Sequence, residues 1–391
     1  EIRGIADNQN MEPEMMPILE EKLKEFPDRD KYLKKEHDMK LLTLIDKKVN
    51  NNNIELSLEE LKFLYEVNSK IDGFGYRKDP RIEEIKSKRS LKKDYSIIFG
   101  IKEEEIALSQ EEWLNNPEKF KFFLGSIDLG SLTSAEGLIF PKRVGGNLKL
   151  DNLVTTDGLV LPESIGGSIY LNSLTSAEGL VLPESIGGGI YLNSLTSADG
   201  LVLPESIGGS IVLDSLTSAD GLVLPQHVGG YIYLNSLTSA EGLVLPESID
   251  GDIILNSLTS AEGLVLPEGI GGDIYLSSLT SAEGFAFPEN IGGSIDLSSL
   301  TSADGLILPQ YVGNYIFLSS LTSADGLVLP QHVGDNIFLN NLRNADGLKL
   351  PYDFDLNKLT CPYNIKEEIM NNPDKYYMAP PTEEDKKEMK R

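Results

Sequence analysis

Hydrophobic and polar positions along this chain repeat every 21 residues. In one unit, Pro183 to Leu203, apolar residues stand at Ile186, Ile190, Leu192, Leu195, Ala198, Leu201 and Leu203. Two stretches, Ile190-Tyr191-Leu192 and Leu201-Val202-Leu203, alternate with period two, the pattern of a strand with one buried face. A helix would need a 3.6-residue apolar stripe and is opposed by this density of Gly, Pro and Ser. The pattern predicts two short strands per unit, stacked coil on coil into two parallel sheets of a solenoid.

The period is strict. Prolines fall at 141, 162, 183, 204, 225, 246, 267, 288, 309, 330 and 351, and the array runs from about Gly125 to Leu350, close to eleven copies. At ~4.8 Å per coil, eleven coils make a rod roughly 50 Å long. A Gly follows the acidic residue of every unit, from Gly137 and Gly158 to Gly347, and marks a bend with positive φ. The Gly166-Gly167 pair and its equivalents mark a second bend. Where it changes it becomes Asp250-Gly251, Gly313-Asn314 or Gly334-Asp335, and Asp and Asn tolerate left-handed geometry best.

Strand alternation turns one residue per coil outward and builds columns. The first column reads Asp128, Lys149, Tyr170, Tyr191, Val212, Tyr233, Ile254, Tyr275, Asp296, Phe317 and Phe338, with Tyr231 and Tyr315 beside it. Stacked rings stabilise neighbouring strands by ~0.2–1 kcal/mol per pair; an exposed Tyr-rich strip also marks an interface. A second column reads Ile139, Val160, Val181, Val202, Val223, Val244, Val265, Ala286, Ile307, Val328 and Lys349. Full exposure would make it adhesive, so cover by neighbouring loop atoms is expected, with a second contact surface or homodimer face as the alternative. A third column is acidic in every unit, from Glu136 and Asp157 to Asp325 and Asp346. Bonds from these carboxylates to turn amides are the expected role. One carboxylate per turn falls short of a calcium site. The Thr196-Ser197 pair and its equivalents straddle a corner.

The flanks lack the period. Residues 1–124 are charged and Leu-rich, with helices expected near 13–26, 29–50, 58–71, 80–89 and 110–115. Ser57-x-x-Glu60 and Ser109-x-x-Glu112 have capping-box spacing. The segment Gly73-Phe74-Gly75-Tyr76-Arg77-Lys78 lacks the Gly-Lys-Ser/Thr ending of a phosphate loop and reads as a turn between helices. After Pro351, residues Phe354, Leu356 and Leu359 and a helix near 365–371 are expected to cover the last coil. Asn371-Asn372-Pro373-Asp374-Lys375-Tyr376 echoes Asn115-Asn116-Pro117-Glu118-Lys119-Phe120, which suggests helix exits at both ends of the array. Thr382 to Arg391 reads as a solvated tail.

Composition narrows the function classes. The 391 residues carry 35 Lys and Arg against 61 Asp and Glu, a net charge of −26. Residues 125–351 hold 25 acids and 5 bases, or −20 of that charge. An acidic surface argues against nucleic-acid binding and against docking on anionic membranes. No apolar run approaches a membrane span of ~18 residues, and no secretory signal is visible. Cys361 is the one cysteine, which excludes a disulfide framework or Cys-rich zinc site. A cytoplasmic location is expected, with a bacterial surface or secreted protein as the alternative.

The unit resembles bacterial leucine-rich repeats. Leu174 to Gly188, LTSAEGLVLPESIGG, is similar to the LTSI-x-IP-x-SV blocks of BspA-like repeats, to the LPESIG blocks of other bacterial leucine-rich repeats, and most to bacterial proteins with LTSAEGL-x-LP units. The likeness covers residues 125 to 350 and none of the flanks. The L-x-x-L-x-L-x-x-N block is missing, and residues such as Asn172 and Ser277 do not form a clear asparagine ladder in the sequence. A horseshoe and a straighter β-solenoid both remain open. The resemblance implies right-handed, leucine-rich-repeat-like parallel β coils that bind proteins or cell surfaces and share no catalytic residues.

The expected fold is therefore a mainly β solenoid of 21-residue coils over residues 125–351, with an α-helical N-terminal cap domain (1–124) and a short helical C-terminal cap and tail (352–391). No catalytic constellation, cofactor site or metal site emerges. His227 and His332 share a coil position five coils apart, too far to act together, and His37 lies in the flank. Cys361 has no His nearby in sequence and reads as packing. The expected function is a non-enzymatic interaction or scaffold module that binds a protein partner through Tyr170, Tyr191, Tyr231, Tyr233, Tyr275, Tyr315, Phe317 and Phe338. Alternatives are a spacer or self-assembling rod, a glycan-binding surface, and an acidic nucleic-acid mimic.

Overall fold

Two hydrogen-bonded ladders run through the repeats of the computed structural model, which describes residues 29–51, 55–67, 69–74, 78–283 and 285–380. Each coil gives two residues to each ladder. In the unit from Pro183, Ser185–Ile186 lies in the first sheet and Ile190–Tyr191 in the second. Pairing between the repeat coils is parallel, with partners 21 residues apart: Ile211 pairs with Ile190 and Ile232, and Ile207 with Ile186 and Val228. The first sheet extends from Ile106–Ala107 to His332–Val333, and the second from Ile127–Asp128 to Leu359–Thr360. The fold is a parallel β-solenoid of about eleven coils.

The second expected strand is placed differently. Leu201-Val202-Leu203 forms no strand; this third side of the coil carries only isolated bridges in late coils, Ala286 with Ile307 and Val328 with Lys349. The ladder forms after the proline instead, at Ser206–Ile207. Pro204 has no amide to donate, and two-residue strands are too short to show alternation.

The core follows the apolar columns. Ile186, Ile190, Leu192, Leu195, Ala198 and Leu201 are all buried, and Leu203 is half-buried against them. The first bend is as expected: Gly200 has φ +77°, and its described equivalents lie between +71° and +84°. The glycine pair is not left-handed, nor are Asp250, Asn314 and Asp335. Close approach of the coils favours glycine here: a Cβ on Gly187 would stand 2.4 Å from the Gly166 carbonyl oxygen of the preceding coil, although Asp250 is accommodated at the same coil position.

The chain divides into compact units at Ile106/Ala107. The first unit holds α1 (Arg29–Asn51), α2 (Leu58–Leu64), α3 (Arg81–Ser87) and α4 (Leu91–Phe99). Leu42, Ile45, Leu61, Leu64, Ile82 and Ile85 form its own core. The Ser57 capping box is present in both directions. Helix α2 stops well before residue 71 because Glu66 turns left-handed at φ 55°, and α4 was not expected. Buried Asp94 accepts from Tyr65 Oη at 2.8 Å and from Arg89 Nε and Nη2 at 2.7 Å. The expected helix 13–26, Gly75 to Arg77 of the loop, and the tail from Thr382 lie outside the described residues.

Within the second unit, residues of the flanks close both ends of the array. Helix α5 (Gln110–Asn115) buries Trp113 in the solenoid core beside Phe120 and Phe123. At the other end, Leu359–Thr360 pairs with Ile337–Phe338, and α6 (Tyr363–Asn371) and α7 (Pro373–Tyr376) bury Ile365, Ile369 and Tyr376. The repeated Asn-Asn-Pro motif has one conformation at both ends. Asn116 (φ −156°, ψ 70°) and Asn372 (φ −134°, ψ 55°) each end a helix, and the following proline begins the next.

Candidate interaction surface

The second sheet holds the aromatic column in register. Tyr170 pairs with Tyr191, Val212 with Tyr191 and Tyr233, Ile254 with Tyr233 and Tyr275, Asp296 with Tyr275 and Phe317, and Phe317 with Phe338. Parallel pairing without insertion brings rings 21 residues apart to strand spacing. Tyr170 and Tyr191 stack with centroids 4.5 Å apart and planes 10° apart, and Phe317 and Phe338 with 5.0 Å and 3°. Tyr231 meets Tyr233 edge-on at 6.2 Å, and Tyr315 packs on both phenylalanines at 5.9 and 6.1 Å.

Tyr170, Tyr191, Tyr231, Tyr233, Tyr275, Phe317 and Phe338 are half-buried, and Tyr315 is exposed. Val212 and Ile254, which also lie in the column, are buried. Burial, and after it the nearby phenols of Tyr231 and Tyr170, push the Tyr191 hydroxyl up to about 12. Burial, then the bond its hydroxyl donates to Asp273 Oδ2 at 2.9 Å, pushes Tyr275 to about 12 as well. Asp296 interrupts the column and caps its own turn by accepting the Ser298 amide at 2.9 Å. The surface is thus two aromatic blocks, Tyr170 to Tyr275 and Tyr315 to Phe338.

A polar relay beside the ladder was not legible in the sequence. Ser126 Oγ accepts the Asn147 amide at 2.9 Å, Asn147 Oδ1 the Ser168 amide at 2.8 Å, and Ser168 Oγ the Gly189 amide at 2.9 Å. The same position continues with Ser210 accepting from Tyr231, and with Asp252 and Asp273 accepting from Asp273 and Ser294. Each side chain satisfies an amide of the next coil. Residue type varies down this column, and Gly189, Tyr231 and Tyr315 interrupt it, so only the frequency of Ser, Asn and Asp before the buried aliphatic residue could have signalled it. Part of an internal ladder also exists: Asn256 Oδ1 accepts from Ser277 Oγ at 2.7 Å, and Asn172 donates to Asp151.

The other two columns depart from expectation. Serine satisfies the turn amide that the acidic residue was expected to bind. Ser176, Ser197 and Ser218 accept the amides of Glu178, Asp199 and Asp220 at 3.1–3.2 Å, and the three acidic residues are exposed. The valine column is not covered: Val160, Val181, Val202, Val223, Val244 and Val265 are 73–79% exposed.

Chemically, the aromatic surface offers ring faces and a few phenolic hydroxyls, one of them bonded to the Asp273 carboxylate. Among the described residues, no three His, Cys, Asp or Glu side chains are grouped to hold a metal ion, and no helix is long and apolar enough to cross a membrane. His227 Nδ1 lies 2.8 Å from Ser248 Oγ, whereas His332 lies beside the Tyr311 ring. Burial raises the Cys361 thiol above its ordinary value, which lowers its reactivity. No protein-family profile, curated protein or solved structure matches this chain.

Proposed function

We propose that this chain is a non-enzymatic interaction scaffold that holds a protein partner against the aromatic ladder of its second sheet. The observation that carries the reading is the in-register ring column, with Tyr170 on Tyr191 and Phe317 on Phe338, open to solvent on one side. Rings fixed by their neighbours lose little conformational entropy on binding, and Tyr is enriched at the energetic centres of interfaces. The resemblance to bacterial leucine-rich repeats supports the same reading. The single cysteine suits a cytoplasmic setting, where thiols stay reduced.

The test is the double substitution Tyr191→Ala with Tyr233→Ala in the full chain. Circular dichroism should be retained, while quantitative pull-down from the source cell should lose specific partners relative to the parent. An unchanged partner set would remove the ladder as the binding face.

A further inference from the structure

The third side of the coil carries an unbroken apolar stripe. Leu201 points into the core, Val202 points out, and the pattern repeats with Ile139, Ile307 and Val328 also exposed. Isolated exposed valines are unremarkable, but folded monomers rarely show a contiguous apolar patch above a few hundred Å². This one advances one valine per coil, about 4.8 Å at a time. At its N-terminal end it opens into a shallow depression of about 380 Å³ lined by Phe140, Leu161, the prolines 141 and 162, and the paired Lys142 and Glu163.

Two rows of carboxylates border the stripe. Asp199 stands three residues before Val202 and Glu205 three after, and both are exposed. Three residues span at most about 10 Å of chain, so each row lies within that distance of the valines. The first row is acidic in every unit; the second continues with Glu184, Glu247, Glu268 and Glu289, has Gln226, Gln310 and Gln331 in other coils, and at Glu163 is already paired with Lys142 at 2.7 Å. No Lys or Arg occurs between Lys149 and Arg343. A second copy of this chain would set its own acidic rows against these, and an anionic membrane would meet the same repulsion.

We infer that this stripe is a docking site for an amphipathic α-helix of a partner protein, with an apolar face bordered by Lys and Arg. Charge selects the borders. Dimensions select the helix: its turns advance 5.4 Å against ~4.8 Å per coil, so its side chains stay within half a coil of the valine gaps for about four turns. Same-face side chains of an extended strand advance ~6.7 Å and fall out of step within two coils. A helix about 10–12 Å across fits between the rows, and its long basic side chains reach outward to them. This site lies on a different side of the coil from the aromatic ladder and does not depend on it.

The probe is a synthetic 18-residue helical peptide with Leu along one face and Lys on both borders, titrated into the full chain at low salt. The controls are a scrambled peptide of equal composition and the chain carrying Val181→Thr, Val202→Thr, Val223→Thr and Val244→Thr. Binding should weaken at least about tenfold with the scrambled peptide and with the Thr chain, and should be unchanged by Tyr191→Ala with Tyr233→Ala. If the Thr chain misfolds, Asp199→Lys with Glu205→Lys and Asp220→Lys replaces it, with the same expected loss. Equal binding of the scrambled peptide, or unchanged binding by the altered chains, would overturn the inference. So would sedimentation of the parent chain as a dimer that the Thr substitutions dissociate, since the occupant would then be a second copy.

Discussion

Tyr170 and Tyr191, 21 residues apart in sequence, lie face to face with ring centroids 4.5 Å apart. That single contact expresses the whole architecture: one coil of constant length, closed in register, places like on like. Stacked rings contribute about 0.5–1.5 kcal/mol beyond their burial. A double-mutant cycle with Tyr170→Ala and Tyr191→Ala, read by chemical denaturation, should return a coupling energy in that range. Additive losses would mean that the rings do not interact.

The raised phenols set a pH dependence. Tyr191 and Tyr275 are both pushed up to about 12, whereas an unfolded Tyr titrates near 10. The folded state therefore holds these protons more tightly. Its stability from them is fully present below about pH 10 and is lost as the pH rises towards 12. Absorbance titration near 295 nm should show several tyrosines ionising late, since Tyr65, Tyr95, Tyr376 and Tyr377 are also raised. Tyr191→Phe and Tyr275→Phe should each remove one ionisation from that late group. Asp273→Asn should bring Tyr275 back towards its ordinary value, because the adjacent negative charge is gone.

Two glycines test two different constraints. Gly200→Ala forces an L-residue to φ +77° and should cost about 1–2 kcal/mol. Gly187→Ala places a Cβ 2.4 Å from a backbone oxygen of the adjacent coil, so the local backbone must shift to admit it, although Asp250 carries a Cβ at the same coil position. The second substitution should lower the denaturation midpoint more than the first. The reverse order would show that the coils are less tightly apposed than described.

Much of this was legible from the residues. Strict spacing and alternation located the core columns, and the glycine after each acid announced the left-handed bend. Alternation at Leu201-Val202-Leu203 gave the correct inward and outward directions, yet direction does not specify pairing, and the ladder runs through Ser206–Ile207 instead. Nor does direction specify cover, so the open valine stripe emerged only in three dimensions. The same holds for Ser197, whose bond to the Asp199 amide displaces the expected role of the carboxylate.

The acidic column makes stability salt-dependent. Lys149 pairs with Asp128 at 3.4 Å near one end of the array, and Lys375 with Asp346 at 2.9 Å near the other. No Lys or Arg offsets the carboxylates between Lys149 and Arg343. Like charges on adjacent coils repel, and salt screens them within about 10 Å at 0.1 M. Asp199→Asn with Asp220→Asn should raise the melting temperature at low salt, and the gain should vanish near 1 M salt. A gain that persists at high salt would point to a cause other than repulsion.

Both proposed surfaces depend on columns that advance one coil at a time. Paired spin labels in a Cys361→Ser background measure this directly, at Val160→Cys with Val244→Cys and at Val160→Cys with Val328→Cys. Four and eight coils separate these pairs, so the distances should be about 19 Å and about 38 Å, scaling with coil number. Distances that fail to scale with coil number would contradict the stacking, and both surfaces with it.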